Sequence, residues 1–193
     1  MPAFLRKFMR SDAAQAPRPG KRRFLSRLSA DRKAAVAVEF ALIAPALILM
    51  ICACLELCMA FLVSVTLDNA TQTAARGIRT GNTTSANTTP AQFVADVCNN
   101  MGWLSGSCPT SLTLDVETYS TFSAAAGAAS LVQNGKFTST PPAFQVGTGS
   151  QIELVRAYYT WPLFTPLLNP GLVTLGNGDA VLTSTVVFRN EPF

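Results

Sequence analysis

Two carboxylates, Glu39 and Glu56, interrupt an otherwise apolar stretch that runs from Ala34 to Val65. An ionisable group inside a bilayer costs about 2.5–3.5 kcal/mol even on a lenient insertion scale, so each marks a functional position by default. Acid–base chemistry would require the two to meet. They are 17 positions apart in sequence, roughly 25 Å along a helix. At about 100° per residue they also point in different directions. No acid–base pair can form on this one element. The chain has no histidine, which removes every histidine-based triad, zinc site and haem attachment. Cys52, Cys54 and Cys58 lie inside the apolar stretch and read as small apolar side chains of a membrane helix rather than metal thiolates. Cys98 and Cys108, with nine residues between them, follow it. The residues therefore predict no catalytic site, cofactor, metal or small-molecule substrate, and the chain is not read as an enzyme.

The element that carries the two glutamates is the dominant feature. Residues 34–65 contain two charges, one proline (Pro45) and no glycine. A hydrocarbon core needs about 20 apolar helical residues, and a secretory h-region is only about 7–15 long. The stretch predicts a membrane-spanning helix. Arg22, Arg23, Arg27, Arg32 and Lys33 precede it, whereas Arg76 and Arg79 are the only cations closely following it. The positive-inside rule places the N-terminus in the cytoplasm and residues from Thr66 onward outside. Formal charge is +4, yet residues 1–33 hold ten basic and two acidic side chains. The basicity thus belongs to a leader, the remainder is mildly acidic, and no nucleic-acid partner is expected. Phe4, Leu5 and Phe8 among Arg6, Lys7 and Arg10 fit either a short helix on anionic lipid or a disordered leader. On the outer side, Cys98 and Cys108 would meet an oxidising compartment and form a disulfide.

Helical spacing continues past Val65 through Leu67, Ala70, Ala74 and Ile78, with polar residues between them, so the helix becomes amphipathic as it leaves the bilayer. Gly81 and the tract Asn82 to Pro90 end it as a linker or exposed loop. Ala91–Met101 is a candidate helix with Pro90 at its start, and Ala124–Val132 is another. The period changes to two over Leu112–Glu117, and Gln151–Trp161 and Ala180–Arg189 are β-rich. The expected fold class is α+β. A long N-terminal membrane-spanning helix continues into a small domain whose three- or four-stranded antiparallel sheet packs on the helix's amphipathic half. The expected organisation is a basic cytoplasmic leader (1–33), a membrane helix with stalk (34–80) and an extracytoplasmic α+β domain (81–193).

The start of the span carries a resemblance. A basic residue, a small residue, four apolar residues and then Glu39-Phe40 resemble the opening of type IV pilin-like prepilins. In that class a membrane aspartyl peptidase cuts after the small residue. The resemblance implies a cut between Ala34 and Ala35, leaving a mature chain of 159 residues from the 193. The new α-ammonium on Ala35 would be costly alone in hydrocarbon, and Glu39 can neutralise such an amine on a neighbouring subunit, setting axial register. Pro45 frees the Ala41 carbonyl, so a kink or local melting is expected there. The other reading of Glu39 is an interfacial glutamate of an uncut signal anchor. Glu56 pairs with a basic group of a partner or reaches water; the sequence leaves both open.

Ala34-Ala-Val-Ala-Val-Glu-Phe-Ala-Leu-Ile-Ala-Pro-Ala-Leu47, then Leu55-Glu-Leu57, then Leu67-Asp-Asn-Ala-Thr-Gln-Thr-Ala-Ala-Arg76, resemble the TadE-like family over about residues 31–80. These are pseudopilin-like components of the bacterial tight-adherence pilus machinery. Ala34 stands where that family usually has glycine. The resemblance implies a single-pass inner-membrane protein processed by the prepilin peptidase. It further implies a minor pilin or pseudopilin that packs its helix among other pilin-like subunits. The rival expectation is an uncleaved signal-anchored binding or adhesion domain.

Overall fold

The computed structural model describes residues 32–165 and 169–193, with side chains of the first helix described from Val36. The leader and its suggested lipid-facing helix lie outside the described residues. Helix α1, Arg32–Arg79, is 48 residues long. Alanine, leucine and isoleucine dominate it, and no glycine occurs before Gly77. It runs through Pro45 without interruption, so the local melting expected there does not occur. A proline removes one ladder bond, and the long helical runs on both sides keep the rest. Arg76 and Arg79 sit in the last turn, where cations suit the helix dipole.

Compactness divides the chain into two units, Met1–Ile48 and Leu49–Phe193. In the first, the described residues are helical, and from Val36 to Ile48 all side chains but the half-buried Ala44 are exposed. In the second unit the character of α1 changes. Glu56, Ala60, Val63, Leu67, Ala70, Ala74 and Ile78 are buried, three or four residues apart, as one face of a helix requires.

The rest of the second unit is built on that face. Helix α2 (Pro90–Asn100) opens with Thr89 and Gln92 forming a reciprocal capping box. A single 3₁₀ turn (Gly102–Leu104) and the short α3 (Cys108–Ser111) lead into β1 (Leu112–Tyr119). Thr121 caps α4 (Phe122–Ala126), and a two-residue hairpin follows, β2 (Val132–Gln133) with β3 (Lys136–Phe137). This corrects the expected helix over Ala124–Val132. Gly127 ends the helix after one turn, and Asn134 and Gly135, both at positive φ, turn the chain back on itself. Strands β4 (Ile152–Trp161) and β5 (Ala180–Arg189) complete an antiparallel sheet in the order β1-β4-β5. The sheet has three strands, the lower of the two numbers expected.

Central strand β4 is buried on both faces over its first eight residues. Val155, Ala157 and Tyr159 join Leu112, Leu114 and Val116 of β1 and the buried face of α1 in one core. Ile152 and Leu154, on the opposite face, pack with Ala125 of α4. The Tyr158 hydroxyl accepts the Leu131 N–H at 3.2 Å on that side. The chain between β1 and β4 thus covers the sheet face that α1 does not.

The helix end and chain end meet at Gly81. Its φ is +74°, and a Cβ there would stand 2.6 Å from the Phe193 ring, so only glycine fits. The Glu191 N–H donates to the Arg79 carbonyl at 2.9 Å nearby.

Candidate functional site: the apolar helix and the clamp on Glu56

The expected processing residues Ala34 and Ala35 are helical, but their side chains lie outside the described residues. Glu39, Phe40 and Pro45 are all exposed on the helix surface. They share that surface with exposed Val36, Val38, Leu42 and Ile43. A soluble helix would pair such a surface with a core, and here one carboxylate interrupts it. This is a surface suited to lipid or to other helices.

Glu56 is placed quite differently. Its side chain is 4 % exposed, enclosed by the chain that follows β4. One oxygen accepts the Phe164 N–H. The Thr165 N–H reaches the two oxygens at 3.1 and 3.2 Å. The Thr165 hydroxyl donates to Oε2, as does the Asn169 amide at 2.9 Å. The same amide lies 3.1 Å from the Thr165 Oγ1, so the donors brace one another. Four donor groups converge on one carboxylate, with no cation among them. Within its own chain, Glu56 meets these backbone, hydroxyl and amide donors. No spacing rule could reveal this, because the partners lie 108 to 113 residues further on.

Cys98 and Cys108 are joined in a disulfide with a Cα–Cα distance of 5.5 Å, linking α2 to α3, and both are buried. Cys52, Cys54 and Cys58 are free and exposed on α1.

Two buried polar groups escaped the sequence reading. Arg156 of β4 lies opposite Asp115 of β1 and donates twice to Asp115 Oδ2, at 2.6 and 3.1 Å. Asp115 Oδ1 in turn accepts the Ala143 N–H at 2.8 Å, tying the covering segment to the sheet. Glu153 is fully buried. Desolvation pushes its carboxyl up to about 7, against the opposing hydrogen bonds from the Gly147 N–H and the Asn190 amide. Its place in a β-rich run gave no sign of burial; the groups that meet it, Gly147 and Asn190, come from outside its strand.

An open groove of about 790 Å³ lies between α1 and β5, lined by Gln72, Arg76, Arg79, Thr185, Phe188 and Glu191. The ion pair Arg79–Glu191, at 3.5 Å, sits among these residues and is half-exposed at both ends. Among the described residues, no group of three or more Cys, Asp or Glu side chains is placed to hold a metal ion.

One helix among the described residues is long and apolar enough to cross a membrane, with a mean hydropathy of 2.7 in its most apolar window. Only 17 % of that window is buried, unlike the core helix of a soluble protein. The class is a membrane-associated α+β protein with a single long apolar N-terminal helix. Residues 34–76 match the family model described as TadE-like protein, so over that stretch the chain is similar to that family. No curated protein and no solved structure gives a significant match.

Proposed function

We propose that this chain is a single-pass, pilin-like assembly protein of a tight-adherence pilus system, acting as a minor pilin or pseudopilin. The observation that carries the reading is that the TadE-like match, residues 34–76, takes in an exposed apolar helix surface that carries one carboxylate, Glu39. In this reading the leader is cytoplasmic and the sheet domain extracytoplasmic. A prepilin peptidase of the inner membrane cuts between Ala34 and Ala35. Glu39 then accepts the freed α-ammonium of a neighbouring subunit, and the exposed Phe40 and the residues around Pro45 pack against adjoining helices. The partners are pilin-like subunits, and the work is mechanical.

The experiment is N-terminal sequencing of the membrane-extracted protein from cells with and without the peptidase. A start at Ala35 that depends on the peptidase is expected. An intact leader in both strains favours the uncleaved anchor with an adhesion domain. Glu39→Ala is expected to insert normally yet reduce pilus output at least tenfold, about 1.4 kcal/mol or more of lost subunit coupling. Pilus counts by electron microscopy, alongside membrane levels of the variant, check this.

A further inference from the structure

We infer that the loop Pro162–Thr165 is a membrane-dipping element: it lies in the leaflet on the side of the folded domain, with Phe164 among the acyl chains and Glu56 acting as its internal hydrogen-bond acceptor. Three observations carry it, all within Leu49–Phe193.

First, Phe164 is 81 % exposed, the most exposed large apolar side chain of the described residues. It is held beside the helix at the level of Glu56, because its own N–H is bonded to that carboxylate. Second, the helix surface at that level is not yet out of apolar surroundings. Leu55, Met59, Phe61, Leu62 and Val65 are all exposed, and Val65 stands roughly 13 Å beyond Glu56 along the axis. A bilayer that covers this stripe also covers Phe164. A water-exposed loop would instead leave a phenyl ring and a long apolar helix surface bare at the same level of the protein. Third, irregular backbone enters lipid only where its N–H groups find internal partners. Glu56 takes the N–H groups of Phe164 and Thr165, the Thr165 hydroxyl and the Asn169 amide. The satisfaction is mutual: the donors solvate a carboxylate that would otherwise be expensive in an apolar medium, and the acid offsets the polar cost of the Phe164 and Thr165 N–H groups. What remains facing outward is a phenyl ring, an apolar side chain whose transfer into the hydrocarbon is favourable. This inference needs only the membrane helix and is independent of pilus assembly.

The test uses the native full chain reconstituted at low density in phosphatidylcholine vesicles that carry a diazirine on an acyl chain. After photolysis, labelled residues are mapped by mass spectrometry. Labelling of Phe164 together with Leu55–Val65 is expected, with the Thr174–Asn177 turn unlabelled. Label on the helix but none on residues 161–165 overturns the proposal. So does label on the loop that disappears as protein density in the vesicle rises, since a second copy would then be what covers it. Glu56→Gln is the companion variant. It replaces one acceptor oxygen by a donor, and a several-fold drop in Phe164 labelling with helix labelling retained is expected. Undiminished loop labelling in that variant removes Glu56 from the device.

Discussion

Glu39 and Glu56 are the same residue type on the same helix, and their surroundings differ. Glu39 is exposed on the helix surface. Glu56 has its acceptor capacity consumed within its own chain. Glu153 is a third case, a carboxyl whose burial raises it to about 7 from an ordinary 4.5. Because the folded value is the higher one, the native state holds more protons than the unfolded state between those limits. Stability therefore falls as pH rises from about 4.5 to about 7 and levels off above. Glu153→Gln should abolish that slope and stabilise the protein at pH 8, by on the order of 3 kcal/mol at most. Urea unfolding of the detergent-solubilised chain at pH 5 and pH 8 measures it. An unchanged slope in the variant would assign the pH dependence to another group.

Among the elements, α2 packs Phe93, Val97 and Cys98 into the main core, whereas α3 is only four residues long. A covalent bond joins the two: the disulfide between Cys98 and Cys108, which spans ten positions. Its removal from so short a loop should cost about 2–3 kcal/mol in the chain-entropy model. A Cys98→Ser/Cys108→Ser double variant is expected to lower the unfolding free energy from urea titration by that amount, and with it the midpoint, with the β1-β4-β5 sheet retained in circular dichroism. A midpoint equal to that of the parent under non-reducing conditions would mean the bond contributes nothing. The capping box at Thr89 sets where α2 begins, and this was legible as a proline after a threonine-rich tract. The hairpin β2-β3 was not legible, because two-residue strands carry no periodicity.

At the scale of the whole molecule, the second half of α1 belongs to the folded domain. Val63, Leu67, Ala70, Ala74 and Ile78 sit in the same core as β1 and β4. Burying such side chains contributes about 1.5–3 kcal/mol for each of the larger ones, in sum comparable to a domain's net stability of about 5–15 kcal/mol. A chain beginning at Asn82 should therefore fail to fold. It is expected to aggregate, or to show no cooperative unfolding in urea, whereas a chain beginning at Leu49 unfolds cooperatively in detergent. A well-folded Asn82 chain would show that the sheet and its cover suffice alone.

Apolar length and the recurrence of Leu67, Ala70, Ala74 and Ile78 determined the membrane helix and its buried continuation, because a helix's faces are set by local spacing. Alternation in Leu112–Glu117 and β-rich runs near Gln151–Trp161 and Ala180–Arg189 marked the three strands within a residue or two at their ends. The TadE-like character was legible for the same reason, since the match is confined to one contiguous segment. Tertiary structure alone decided what meets Glu56, how Asp115 finds Arg156 and why Glu153 is interior. Each depends on groups brought together by chain reversal rather than by spacing. A hydrogen-bond donor 108 residues away leaves no periodic trace beside its acceptor.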